Sequence, residues 1–362
     1  MLTLRAFGAA SAAADNALMS LYRNALNRHW PAHRRIGAFL LGLAGIGGWS
    51  RTERAVLPPS IRAHGLSMAD RRGIHRLLNP GTAPFTKNPL KNKQLFAEIL
   101  SEHGLPHPQT FSGTRRELQV WLARQSDVIA KPAFGSHGRG ITRWQRMASG
   151  DWHTGPIVMD NHALAASLHR IVKHGGIVQQ ALRAHPDLET IAPGALPTLR
   201  IVTCLDECNE AEPCACVLRL ASHAGPVDNF SAGNLATPLD ASGRCGLAVS
   251  IRGGQLTRSA SHPSTGQIIA GVEVPFFSDA LGLACKAHAI FRDSFTVIGW
   301  DVAITPNGPS MIEGNWNPGT RMIQLAQFAG LDTTRLGDLY RHHLARLSPG
   351  EWRKAPLMSW DR

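Results

Sequence analysis

The chain has 362 residues, 43% of them hydrophobic, enough to bury a sizeable core divided into two or three lobes and too apolar for a disordered chain. Lys and Arg (38) outnumber Asp and Glu (26), and the resulting charge of +12 favours anionic partners such as nucleotides, phosphorylated sugars, nucleic acid or a membrane surface. The 6 cysteines form no CxxC pair and all fall in the C-terminal half, which argues against a disulfide scaffold and fits a reducing cytoplasm.

The first residues, MLTLRAFGAASAAADNA, lack the continuous apolar stretch of a signal peptide. Up to residue 84 the chain is rich in Arg and His and reads as several short helices, broken at VLPPS (56–60) and closed by NPGTAP (79–84). The run IGAFLLGLAGIGGW (36–49) is glycine-interrupted and shorter than the ~20 residues of a spanning helix. Because it follows Arg34 and Arg35, a peripheral membrane contact stays open beside its reading as a core helix.

Apolar residues at 95, 96, 99 and 100 in NKQLFAEILSEHG (92–104) have helical spacing, and Gly104 suits the position after a helix end. LPHPQTF then restarts extended structure. In VIAKPAFGSHGRGITRW (128–144), Lys131 ends an apolar run and precedes Gly135, Gly138 and Gly140. Glycines let backbone N–H groups approach an anion and the lysine adds a point charge, which together describe a phosphate cradle. The spacing is neither a Walker A loop nor a dinucleotide fingerprint, and ITRW reads as strand, so an ordinary glycine-rich hairpin with an incidental lysine stays open.

GGIVQQALRAHPDLE (175–189) reads as a strand entering an irregular polar segment. RIVTCLDE (200–207) and PCACVLRLA (213–221) read as a hairpin across the turn NEAEP, with Cys214 and Cys216 on one face as small hydrophobes. Their spacing from Cys204 and Cys208 does not suit zinc. A loop around DNFSAGN (228–234), a helix near 278–293 and the strands VIGWDVAIT (297–305) and SMIEGNW (310–316) follow.

The last two strands carry the strongest chemistry. Glu313 and Asn315, two apart, share a strand face, and the turn TPNGP folds their strand back beside the one holding Asp301. Asp301 interrupts an apolar run, and a desolvated carboxylate needs a partner. Three oxygen-bearing side chains thus converge on a hard cation of the Mg²⁺ type.

Lys93 in LKNKQLFAEILSEHGLPHP, Lys131 in AKPAFGSHGRG, the segment VQQALRAHPD, Arg200 in TLRIVT and GWDVAITPNGPSMIEGNWNPG occur in the order of the ATP-grasp superfamily, which residues 85–330 resemble. HPSTG (262–266) and the DNFSAGN loop make the chain similar to its sugar-transfer-associated, α-L-glutamate ligase-like branch. The resemblance implies an α+β ATP-grasp fold, two lobes gripping ATP. Residues 1–84 would form a mainly helical N-terminal extension, 85–185 the lobe with the glycine-rich lid, 186–350 the C-terminal lobe with the metal site and 351–362 a tail.

It further implies that Lys93 and Lys131 grip the ATP phosphates under a lid running from Gly135 through Ser136 and Gly138 to Gly140. Gln179, Gln180 and Leu182 would belong to the hinge that reads adenine, largely through backbone groups, and Asp187 would take the ribose hydroxyls. Asp301, Glu313 and Asn315 match the metal positions, for Mg²⁺ or Mn²⁺. Arg200 and Arg321 would face the transferred phosphoryl group or an acidic substrate. Two departures stand out: glutamine occupies a hinge position where many relatives are acidic, and residues before 85 do not read as a βαβ domain.

The implied chemistry is ATP- and Mg²⁺-dependent joining of a carboxylate to an amine or sugar-conjugate acceptor through an acyl phosphate, in cell-surface polysaccharide or sugar-conjugate assembly. The expected setting is the cytoplasm, with the inner membrane face as an option. Blander readings remain for single residues: Arg200 as a surface charge, Arg321 as a turn residue, His262 as a loop histidine satisfied locally, Asn229 as a turn cap. A kinase of the same fold and a non-catalytic basic binding protein are the rival functions. Against nucleic acid, only 2 tyrosines are present and the arginines are scattered, so no stacking platform stands out.

Overall fold

The computed structural model describes residues 16–33, 48–82, 87–132, 140–192, 194–222, 230 and 233–354. Two antiparallel sheets organise it. The smaller consists of β1 (Asp127–Lys131), β2 (Thr142–Arg146), β3 (Trp152–Thr154), β4 (Ile157–Met159) and β5 (Ile177–Gln180), in the order β4-β3-β2-β1-β5. Alternation along β1 sends Val128 and Ala130 into a core with Leu118, Leu122, Leu164 and Leu168. Those leucines lie on the helices Arg115–Leu122 and Asn161–Lys173. Lys131 is thereby left on the opposite face of the strand.

The larger sheet has seven strands in the order β10-β9-β8-β7-β6-β11-β12. They are β6 (Thr198–Leu205), β7 (Ala211–Leu220), β8 (Leu235–Pro238), β9 (Ala248–Arg252), β10 (Gln255–Ser259), β11 (Val297–Thr305) and β12 (Gly308–Asn315). One face packs Leu199, Ile201, Leu218, Trp300 and Val302 against the helix Phe277–Phe291. The other face carries Arg200, Asp301 and Glu313 in one cross-strand row. A regular ladder would keep Cys214 and Cys216 on a common face, and this expectation is corrected. A register shift between Val202 and Thr203 inserts a residue into β7, so Cys216 packs with Trp300 and Cys214 with Tyr340. All six cysteines are free thiols.

The N-terminal helices α1 (Ala17–His29), α2 (Arg51–Val56), α3 (Pro59–Ala63) and α4 (Met68–Leu78) cover part of that second face. Leu18, Tyr22, Ile74 and Leu78 share a core with Val202, Val297, Ile323 and Tyr340. Residue 84 is therefore no packing boundary. The helix Pro349–Lys354 likewise crosses residue 350, and its Trp352 is buried beside Tyr22. Residues 36–47 of the apolar N-terminal run lie outside the described residues, and among those described no helix is long and apolar enough to cross a membrane.

α4 is the element that reaches the site. Arg71, His75 and Asn79 recur every four residues, one stripe of the helix and its cap. Arg71 donates to the carbonyl of Pro318 (3.0 Å) and Asn79 to those of Trp316 (2.5 Å) and Val297 (2.8 Å). His75 lies 2.9 Å from Asn317 Oδ1 and 2.6 Å from the Tyr340 hydroxyl. Burial, followed by Arg71, pushes the His75 pKa down to about 3. The ring is therefore neutral, with Nδ1–H donating to Asn317 and Nε2 accepting from Tyr340. One helix face thus holds residues 316–318, the exit of the strand that carries Asn315.

Candidate active site

The predicted helix is present as Lys93–Glu102, with Asn92 capping it and Gly104 at φ +64. Lys93 is its first residue. A cation there opposes the helix dipole, whereas an anion bound at that end is favoured by the dipole, the backbone N–H groups and the lysine together. Lys93 lines a cleft, partly open to solvent, whose walls also include Lys131 and Gln179 of the small sheet and Glu313 of the large one.

Lys131 donates to Gln179 Oε1 (3.0 Å), and Gln179 Nε2 donates to the Thr110 hydroxyl (2.8 Å). Gln179 is thus the residue that aims Lys131. The backbone N–H groups of Gln180 and Ala181 donate to Gln109 and Asp127 carbonyls. Leu182 follows the strand, and Asp187 sits exposed in the short helix Pro186–Glu189, 3.6 Å from His185. Gly140 lies against Pro132, at φ +76, while Gly135, Ser136, Gly138 and Asn229 lie outside the described residues.

On the large sheet Asp301 faces Glu313 directly, and a register shift between Asp301 and Val302 separates that pair from Val302 and Met311. Bulges of this kind re-aim side chains beside functional sites. Asn315, paired with Gly299, shares the strand face of Glu313. Asp301 is buried, and its Oδ1 accepts from Arg200 Nε (2.6 Å) while Oδ2 accepts from Arg219 Nη2 (3.0 Å). Burial alone would raise its pKa; the two guanidiniums outweigh burial and hold it below the ordinary carboxylate range. Arg200 is therefore an inward-facing residue committed to Asp301, not a surface charge. Arg219, absent from the sequence expectations, shares its part; the signal was an arginine interrupting VLRLA as Asp301 interrupts its own strand.

Arg321 is half-buried in the first turn of the helix α5 (Thr320–Gln327), outside the cleft lining. His262 is buried, with Nε2 at 2.7 Å from the Ala221 carbonyl and Nδ1 near Ser264, as a locally satisfied loop residue. Asp301, Glu313 and Asn315 offer two carboxylates and one amide, oxygen donors of the kind Mg²⁺ takes, and of the three Glu313 lines the cleft. Lys93, Lys131, Arg200 and Arg219 outnumber Asp301 and Glu313, so the site has an excess of positive charge suited to a polyphosphate.

Burial holds the Lys131 pKa down to about 8; Glu313 and Asp301 oppose the shift and Lys93 adds to it. Above pH 8 the unfolded chain keeps this proton while the fold sheds it, so stability rises with pH from about 8 to the ordinary lysine range. If Lys131 binds phosphate as the sequence expectation has it, nucleotide affinity has the opposite sign, because the neutral amine no longer offsets phosphate. ATP affinity is expected to fall severalfold as the pH is raised through 8, and to stay flat in Lys131→Met; calorimetric titrations at several pH values check it.

The family described as sugar-transfer associated ATP-grasp matches residues 75–337, and the chain belongs to it. Similar solved structures include the ATP-grasp ligase PsnB with a minimal precursor (13% identity, 73% of this chain and 61% of that one, TM-score 0.40). Others are D-alanyl-alanine synthetase A from Vibrio cholerae (10%, 72% and 66%, 0.42) and an L-amino acid ligase from Bacillus licheniformis (13%, 74% and 50%, 0.40). The chain spans less than two thirds of each of these structures. No curated protein matches the sequence.

Proposed function

We propose that this chain is an ATP- and Mg²⁺-dependent ligase that joins a small carboxylate to an amine of an acceptor, in the assembly of cell-surface polysaccharides or sugar conjugates. The observation that carries the reading is the cleft itself, where Lys131 of the small sheet meets Lys93 and Glu313, whose helix and strand pack together on the large one, beside the Asp301 row. The family description supports the link to sugar transfer.

In this reading Lys93 and Lys131 bind the phosphates of ATP, and Gln179 keeps Lys131 extended toward them. Asp301, Glu313 and Asn315 would hold the metal, which supplies charge neutralisation between phosphate oxygens when bound. The substrate carboxylate displaces ADP from the γ-phosphorus to give an acyl phosphate. The acceptor amine then attacks the acyl carbon, forming the C–N bond, releasing phosphate and losing a proton to solvent. Bringing one anion to another needs cations already in place, and the Arg200 and Arg219 guanidiniums, fixed by Asp301, provide them without reorganisation.

The test is an ADP-release screen of amino acids and nucleotide-sugar acceptors with Mg²⁺. Stoichiometric free phosphate together with an amide product supports the ligase. Phosphate retained on the product would assign a kinase instead, and nucleic-acid affinity without ATP binding would dismiss both.

A further inference from the structure

The start of α5 is unusual in what surrounds it. Its N-cap is Gly319, which has no side chain to accept from the first-turn N–H groups. The helix therefore begins with uncapped donors and the positive end of its dipole. Arg71 lies against this point: Nη1 bonds the Pro318 carbonyl and would stand 3.5 Å from a Cβ placed on Gly319.

Arg71 Nε and the hydroxyl of Thr320, the first residue of α5, are both buried and lack a hydrogen-bond partner among the described residues. Arg71 is 6% exposed and Thr320 1%. An unsatisfied buried donor costs about 1–3 kcal/mol, and more when charged. Two such donors at an uncapped helix start are complementary to an oxyanion. Gly319 and Arg321, on either side of Thr320, are partly exposed, so solvent reaches the helix start. Burial and the neighbouring Arg72 pull the Arg71 pKa down to about 10, and its described hydrogen bond goes to a neutral carbonyl.

We propose that Arg71, Thr320 and the first turn of α5, with Arg321 at the mouth, form a subsite for an oxyanion, a carboxylate or phosphate carried by a substrate. Arg71 precedes the segment matched by the family, whereas Thr320 and α5 lie inside it, so the subsite joins this chain's N-terminal helices to the family segment. Its part in the reaction rests on the ligase reading; its existence does not.

Thermal unfolding of the full chain in phosphate-free buffer, titrated with inorganic phosphate and separately with acetate, reads the site. The expected result is a saturable rise in Tm with at least one of these anions, and the one that binds tells phosphate from carboxylate. The rise should persist in a Lys93→Ala, Lys131→Ala double variant, which removes the two lysines assigned to the ATP phosphates, and vanish in Arg71→Met. Thr320→Val replaces an unsatisfied hydroxyl by an isosteric methyl. It is expected to raise the Tm of the unliganded chain while weakening the anion on the order of tenfold. Those opposite signs would not come from a merely structural threonine.

A response that survives in Arg71→Met and Thr320→Val, one that disappears with the two lysines, or none with either anion overturns the subsite. Should Arg71→Met fail to fold, Arg71→Lys and Thr320→Val decide, since both must weaken the anion. Loss of ATP binding with the anion response intact would sink the ligase reading and leave the subsite standing.

Discussion

Replacing Asp301 by asparagine is expected to destabilise the fold by about 3–5 kcal/mol, because it leaves the buried guanidiniums of Arg200 and Arg219 without their counter-ion. The pH dependence gives the effect its signature. A carboxyl whose folded pKa lies below the ordinary range stabilises the fold above the unfolded value and loses that contribution as the pH falls through the folded one. Wild-type stability should therefore drop steeply at acid pH, and the Asp301→Asn variant should lack that part of the drop. Urea unfolding at a series of pH values measures both. Adding Arg219→Met to Asp301→Asn removes one stranded charge and should restore part of the loss; no recovery would mean that the row is not one electrostatic unit.

Glu313→Gln is expected to separate chemistry from folding. The residue is only partly buried, the amide is close to isosteric, and the side chain lines the cleft without anchoring the sheet. Its Tm should stay near that of the wild type. Mg²⁺-dependent ADP formation should fall on the order of a hundredfold or more, as when a charge-stabilising group is removed from an active site. Raising Mg²⁺ should recover little, since the lost oxygen charge belongs to the protein. Full activity in this variant would exclude Glu313 from the metal set.

Much of this arrangement was legible where the signal is local. The spacing of 95, 96, 99 and 100 marked the helix Lys93–Glu102, and VIGWDVAIT with TPNGP marked the β11–β12 hairpin. Asp301 stood out because a carboxylate inside an apolar strand needs company. The same rule applied to Arg219, but the partner that gives it meaning lies 82 residues away in sequence. The shared face expected for Cys214 and Cys216 fails because one inserted residue reverses alternation, and the residue that marks the bulge, Pro213, reads in sequence as part of the turn NEAEP. The part played by Gln179 depends on Lys131 and Thr110 meeting across strands. The stripe of Arg71, His75 and Asn79 reads as polar decoration of a short helix until residues 316–318 are brought to it.

That stripe also fixes the order in which the molecule can be completed during synthesis. Asn79 and His75 meet partners 237 and 242 residues further along, and Arg71 one 247 residues along. α1 and α4 therefore leave the ribosome with Leu18, Tyr22, Ile74 and Leu78 uncovered, and their core partners Ile323, Leu336 and Tyr340 are translated near the end. Contacts of such long range are slow to close and leave apolar surface exposed to aggregation meanwhile. These early helices are thus among the last to be seated, and a nascent chain arrested before residue 316 holds Lys93 and Lys131 but lacks residues 316–318, which the stripe grips.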